Sequence, residues 1–164
     1  MDALSASYLL NFLLPLWVVT ATPASAQQAP DGPPPAAERS QVVDGIEIQY
    51  GVVPAARAFP AHKQNPGGER AHGGTPSLDD HHVDVALFDA ATKERIVKAR
   101  VWATVRELST AGKRKRLDAE AFNGAVSYGN YFSIKGQGPF KIVIKAEIPG
   151  RENPVEAQFD YRLR

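Results

Sequence analysis

Two segments near the C-terminus alternate between apolar and polar residues, and this two-residue period constrains the fold more than any other feature. Apolar residues recur at alternate positions from Phe140 to Ile148 and again from Val155 to Leu163. Successive side chains of a β-strand point to opposite faces of a sheet, so each segment predicts a strand with one buried face. Pro149 and Gly150 lie between the segments and predict the turn that joins them.

The same period recurs upstream, in residues 46–53, 82–88 and 96–107, and a β-prone aromatic segment spans 128–134. Asn123-Gly124 is a strong signal for a tight turn between strands. No helical period appears outside the first 26 residues. The sequence therefore predicts an all-β fold, an antiparallel immunoglobulin-like β-sandwich of about seven strands.

The first 26 residues predict a helical secretory signal peptide. Their apolar run, residues 8–19, is too short to cross a bilayer comfortably, and Ala24-Ser25-Ala26 offers the small side chains that signal peptidase accepts. Cleavage after Ala26 would leave a periplasmic protein without a stable membrane span. The segment carries Asp2 and no basic residue, so an uncleaved anchor is the alternative.

The remaining chain divides into a linker and one domain. Residues 27–41 are rich in proline and alanine and predict a disordered linker, because they cannot bury enough apolar surface to offset ordering. Residues 42–164 predict the β-sandwich domain. Within it, residues 55–80 hold many glycines, prolines and histidines and predict a long irregular loop, which in compact domains is usually functional or disordered.

Charge and cysteine content exclude several classes of function. The formal net charge of +1 becomes +2 when Asp2 leaves with the signal peptide, so no broad field attracts nucleic acid or an anionic membrane. The absence of cysteine excludes a disulfide framework, thiolate metal sites and cysteine nucleophiles.

All four histidines lie within the 21 residues from His62 to His82. Imidazoles near carboxylates suit Cu(II), Zn(II) or Ni(II). Adjacent histidines on a strand point to opposite faces, so His82 shares its face with Asp84 and not with His81. The predicted metal ligands are His72, His81, His82, Asp84 and Asp80. The alternative is a glycine-rich loop with solvated histidines.

Other clusters favour structural roles. Ser77 lies near histidines and aspartates, but the chain has no Gly-x-Ser-x-Gly motif, so we do not expect an enzyme. The basic run Lys113–Arg116 is predicted at a hairpin tip, without interleaved aromatic residues, as a solvated turn. Tyr128, Tyr131 and Phe132 are expected to pack in or beside the core.

Several segments carry a resemblance to known proteins: GIEIQYGVVP (45–54), HGG (72–74), HHVDVALFD (81–89) and SYGNYF (127–132). With these residues the chain resembles a family of uncharacterised exported proteobacterial proteins. More remotely, it is similar to periplasmic YtkA-like and CopC-like sandwich domains, some of which handle copper. This resemblance implies a sandwich fold. Copper carriers of this type often use methionine, whereas Met1 is the only methionine here, so a thioether Cu(I) site is excluded.

The leading hypothesis is an exported periplasmic accessory or carrier protein that binds Cu(II) or Zn(II) through its histidine-rich loop. The alternative is a metal-free interaction module that docks an envelope protein through the loop and a sheet edge. Replacing His72, His81 and His82 by alanine would distinguish the two.

Overall fold

A computed structural model describes residues 39–63, 75–108, 110–122, 124–136 and 138–163, without the side chains of residues 61–63 and 122. The predicted signal peptide (1–26), linker residues 27–38 and His72 lie outside the described residues. Within the described residues, no helix has both the length and the apolar character needed to cross a membrane.

Eight antiparallel strands and one short helix make up the described fold. In chain order they are β1 (Ser40–Val43), β2 (Ile46–Pro54), α1 (Ala55–Lys63), β3 (Asp80–Asp89), β4 (Arg100–Glu107), β5 (Lys113–Phe122), β6 (Ala125–Ser133), β7 (Phe140–Glu147) and β8 (Val155–Tyr161). The predicted all-β antiparallel sandwich is confirmed, with eight strands instead of about seven.

The strands are ordered β1-β2-β3-β6-β5-β4-β7-β8, and β5 belongs to both sheets. Its first half pairs with β4, from Lys113 opposite Val105 to Leu117 opposite Val101. Its second half pairs with β6, starting from Asp118 opposite Gly129. We call β1-β2-β3-β6-β5 the first sheet and β5-β4-β7-β8 the second sheet.

The core lies between the two sheets and follows the predicted alternation. On β7, Phe140, Ile142, Ile144 and Ala146 are buried, and β8 contributes Val155, Ala157 and Phe159. The first sheet contributes Ile48, Val83, Val85, Leu87, Tyr128 and Phe132. The packing predicted for Tyr128 and Phe132 is therefore present.

Strand β1 is absent from the sequence-based prediction, because its first two residues fall within the predicted linker, residues 27–41. Ser40 and Gln41 instead lie in β1, which pairs with β2. Asp44 and Gly45 form the two-residue turn between them, with φ of 49° and 76°. An Asp-Gly pair is a strong hairpin signal, because both central residues need positive φ. The Gln41 side chain also donates to the Gln158 carbonyl of β8 across 2.6 Å.

Helix α1 corrects the expectation that an irregular loop begins at residue 55. Ala55 and Ala58 are buried, and with the half-buried Phe59 they pack against Tyr131 of β6. Their spacing of three and four residues places them on one face of the helix. Nine residues containing Pro60 make a weak helical signal, so the tertiary contact with Tyr131 stabilises the helix.

The basic run also differs from its prediction. Lys113–Arg116 lie in β5, paired with β4, and the turn of this hairpin comes before them. Alternation along the strand places Arg114 and Arg116 on one face and Lys113 and Lys115 on the other.

The ammonium group of Lys115 has a structural role. It donates to the backbone carbonyl of Tyr131, just beyond the point where β5 leaves β6 to join β4. Asn130 similarly donates to the carbonyl of Arg116 at 2.9 Å. These two side chains satisfy backbone acceptors at the divergence of the strands.

Candidate functional site

Strand β3 places a histidine and an aspartate on the outer face of the first sheet. Val83, Val85 and Leu87 point into the core, so His82 and Asp84 point outward, as the sequence predicts. An outward position on a sheet is usually solvated, yet His82 is only 4% exposed. A polar side chain buried outside the core needs a partner, because burial without a hydrogen bond is costly.

Helix α1 and Tyr131 enclose His82. Tyr131 lies opposite His82 in the pairing of β3 with β6, and the two rings meet edge to face with centroids 5.0 Å apart. Tyr131 in turn packs against Ala55, Ala58 and Phe59 of α1. Burial and the negative charge of Glu120 raise the pKa of Tyr131 to about 12, so its phenol is neutral at ordinary pH.

Among the described residues, Glu120 of β5 is a partner of His82. The His82 Nε2 and Glu120 Oε1 atoms are 3.1 Å apart, and the Glu120 side chain is only 13% exposed. The pairing of β5 with β6 places Glu120 opposite Ser127, so it reaches His82 across the intervening strand. A buried contact between an imidazole and a carboxylate is a strong, directional interaction.

Gly129 of β6 makes room for this contact. It lies opposite Asp84 on one side and Asp118 on the other. A Cβ atom at this position would lie closer than 3.0 Å to both Glu120 Oε1 and His82 Nε2. The imidazole and the carboxylate therefore meet directly over the glycine.

Asp84 completes what we call the outer-face cluster: His82, Asp84, Glu120, Ser127 and Tyr131. Burial raises the pKa of the Asp84 carboxyl, and the nearby Glu120 acts in the same direction. The Ser127 hydrogen bond and the charges of His82 and Arg95 oppose the increase only in part. Keeping Asp84 ionised in the folded protein therefore costs free energy, which a bound cation would offset.

The other predicted ligands lie elsewhere. His81 is half-buried on the core side of β3, opposite Phe132, and its Nδ1 is buried with no hydrogen-bond partner among the described residues. Asp80 caps a local turn by accepting from the Ser77 backbone N–H at 2.8 Å. His72 lies outside the described residues. The predicted ligand set therefore stays a prediction, with only His82 and Asp84 located in one cluster.

Glu120 is the residue that sequence reasoning missed. It follows His82 by 38 positions and reaches it through two steps of strand pairing, with β6 between them. The only local signal is the alternation of Asp118 and Glu120 with alanines in β5, which places both carboxylates on one face. Choosing their partner requires the strand order.

The donor types of the cluster fit a divalent metal, although the described residues do not form a complete site. An imidazole nitrogen and a carboxylate oxygen converge at one point, which suits Cu(II) or Zn(II). Within the described ranges, no group of three His, Asp or Glu residues is arranged to hold a metal ion. Further ligands would have to come from solvent or from residues beyond those ranges.

Comparison with known proteins supports the fold. No protein-family model matches the chain, and no curated protein matches it either. A solved DUF4426 family protein from Pseudomonas aeruginosa is 21% identical, with a TM-score of 0.55 over 76% of this chain and 92% of that one.

Two further solved structures contain copper. A copper-bound variant of FetP from uropathogenic Escherichia coli is 14% identical, with a TM-score of 0.57 over 75% of this chain and 92% of that chain. A copper-bound variant of a Campylobacter jejuni protein is 12% identical, with a TM-score of 0.59 over 76% and 93%. The remote resemblance to small sandwich domains is thus confirmed as a similarity of fold.

Proposed function

We propose that this protein is an exported carrier of Cu(II) that binds the ion at the outer-face cluster. The observation that carries the proposal is the buried contact between His82 Nε2 and Glu120 Oε1, with the costly ionised Asp84 beside it. The fold likeness to two copper-bound proteins supports copper over zinc. The apolar run and the small residues before Gln27 support export to the periplasm.

In this proposal each side chain has a distinct task. His82 supplies a nitrogen ligand, and Glu120 supplies an oxygen ligand already directed at the same point. Asp84 adds negative charge that favours a cation. Tyr131 and α1 exclude water from the imidazole and fix its orientation.

His72 remains a proposed additional ligand because of its place in the chain. It belongs to the segment that leaves the end of α1 at Lys63 and returns to β3 at Asp80. Helix α1 packs beside the cluster and β3 carries His82, so this segment starts and ends next to the site. Copper bound by His72 and His82 together would tie the segment to the sheet.

The test is calorimetric titration of the exported protein with Cu(II), Zn(II) and Ni(II), alongside thermal melts. A ligand that binds only the native state stabilises it by about 2.7 kcal/mol at a hundredfold excess over Kd. We expect a stoichiometric Cu(II) site that His82→Ala abolishes and Glu120→Gln weakens. His81→Gln is the matched control, because His81 is the neighbouring histidine but lies on the opposite face.

The second candidate function is a metal-free interaction module. The lack of a three-residue metal group among the described residues favours it. If His82→Ala and His81→Gln change the binding heats equally, or if Cu(II) does not raise the melting temperature, the carrier proposal fails and the interaction module is retained.

A further inference from the structure

The outer face of the second sheet carries a group of positive charges around one tryptophan. On β4, Val101, Ala103 and Val105 are buried, so Trp102, Thr104 and Arg106 point outward. Helix α1 packs against Tyr131 of the first sheet and not against this face.

Strand β5 adds two arginines beside the tryptophan. Arg116 lies opposite Trp102 and Arg114 opposite Thr104, and both arginines are exposed. The Arg114 guanidinium lies over the Trp102 ring, 5.1 Å from its centre. The basic run is therefore interleaved with an aromatic residue on the neighbouring strand, which the sequence does not reveal.

Strand β7 extends the group on the other side. Lys145 of β7 lies opposite Trp102 of β4 on one side and opposite Glu156 of β8 on the other. We name Trp102, Thr104, Arg106, Arg114, Arg116 and Lys145 the basic face.

Among the described residues, the arginines of the basic face have no acidic partner. Within the described part of the chain, no ion pair joins Arg106, Arg114 or Arg116 to a carboxylate. Cations at the margin of the same sheet are paired instead, Arg100 with Glu147 at 2.7 Å and Lys141 with Asp160. In the part of the chain that the structure describes, arginines without an ion-pair partner thus lie around the tryptophan.

We propose that the basic face is a docking surface for an acidic protein surface. Planar guanidinium groups match carboxylates in two-point contacts, and tryptophan, tyrosine and arginine are enriched among the residues that dominate binding energy. Charge complementarity would position the partner, and Trp102 would be covered on docking. This inference does not depend on copper binding, because the outer-face cluster belongs to the first sheet.

A protein partner fits this face better than a lipid membrane. Peripheral membrane binding combines basic residues with apolar side chains that enter the interface. None of the large apolar residues exposed in the described ranges belongs to the basic face; they are Val42, Val53, Leu78, Val97 and Leu108.

The test uses the exported protein and a fluorescein-labelled oligo-glutamate peptide as the acidic probe. Binding is followed by anisotropy and by tryptophan emission, and the change in emission should be absent in Trp102→Phe. The variant Arg114→Gln/Arg116→Gln is compared with Arg57→Gln/Lys135→Gln, which removes the same charge from exposed positions elsewhere. Each variant is checked for an unchanged melting temperature.

We expect the peptide to change Trp102 emission. Arg114→Gln/Arg116→Gln should lose about tenfold in affinity for the peptide, because it removes several exposed charge pairs. The matched control should stay within about twofold. Equal losses in both variants would show a nonspecific charge effect and overturn the proposal, as would absence of peptide binding at low salt. Tighter binding to phosphatidylglycerol vesicles than to the peptide would overturn it in favour of a membrane.

Discussion

Replacing Gly129 by alanine tests whether the contact between His82 and Glu120 depends on the space above this glycine. The added Cβ would lie closer than 3.0 Å to both side chains, so the imidazole and the carboxylate must separate. Inserting one carbon into a packed site typically costs about 1–3 kcal/mol of unfolding free energy. In a domain of this size each kcal/mol lowers the melting temperature by roughly 3–5 °C.

Gly51→Ala provides the matched control. Gly51 lies opposite Asp84 in β2, in the same row across the sheet as Gly129, and a Cβ there meets nothing within 4 Å. This substitution should be neutral, or stabilising by about 0.4–1 kcal/mol, because alanine reduces the entropy of the unfolded chain.

The assay is chemical denaturation of both variants, followed by Cu(II) titration. We expect Gly129→Ala alone to lose stability and to weaken copper binding by at least about tenfold, corresponding to about 1.4 kcal/mol. If Gly129→Ala is as stable as Gly51→Ala and binds copper normally, the explanation of why His82 and Glu120 meet is wrong.

Two carboxylates give opposite pH signatures in denaturation. Hydrogen bonds from Lys93 and Gln49 lower the pKa of Glu47 to about 2, so its stabilising effect is complete above pH 4.5 and is lost as the pH falls toward 2. Glu47→Gln should cost about 1–2 kcal/mol at pH 7, since Lys93 is largely exposed, and this cost should vanish only below the folded-state pKa of about 2. A cost that does not change with pH would contradict this assignment. Burial raises the pKa of Asp84, so native stability gains as this group takes up a proton at falling pH. Asp84→Asn should therefore stabilise the metal-free protein at pH 7 and weaken copper binding. Lower stability would show that the charge of Asp84 is already compensated.

The strands could be predicted because their evidence is local. Alternation from Phe140 to Ile148 requires only that one face be buried, and the structure buries that face. The same rule placed His82 and Asp84 on one face of β3. Helix α1 could not be predicted in this way, because its packing depends on Tyr131, more than seventy positions further along the chain.

Only those residues of the candidate site that lie close together in the sequence could be predicted. His82 and Asp84 could be assigned to one face because they lie two positions apart on one strand. Glu120 comes next to His82 only because the strands are ordered β3-β6-β5. The contact of Arg114 with an aromatic ring could not be predicted for a related reason. Their aromatic neighbour, Trp102, lies across a strand pair and not within the basic run.

Because β5 passes from one sheet to the other, a single stretch of ten residues supplies Glu120 to the outer-face cluster and Arg114 and Arg116 to the basic face. A deletion in the turn before β5 that slipped this strand by one residue would turn both sets of side chains inward together. An insertion between Leu117 and Asp118 could shift one set relative to the other. The proposed copper site and the proposed docking surface therefore both depend on the same alternation of side chains along β5. Insertions and deletions should be tolerated less well in β5 than in the other strands.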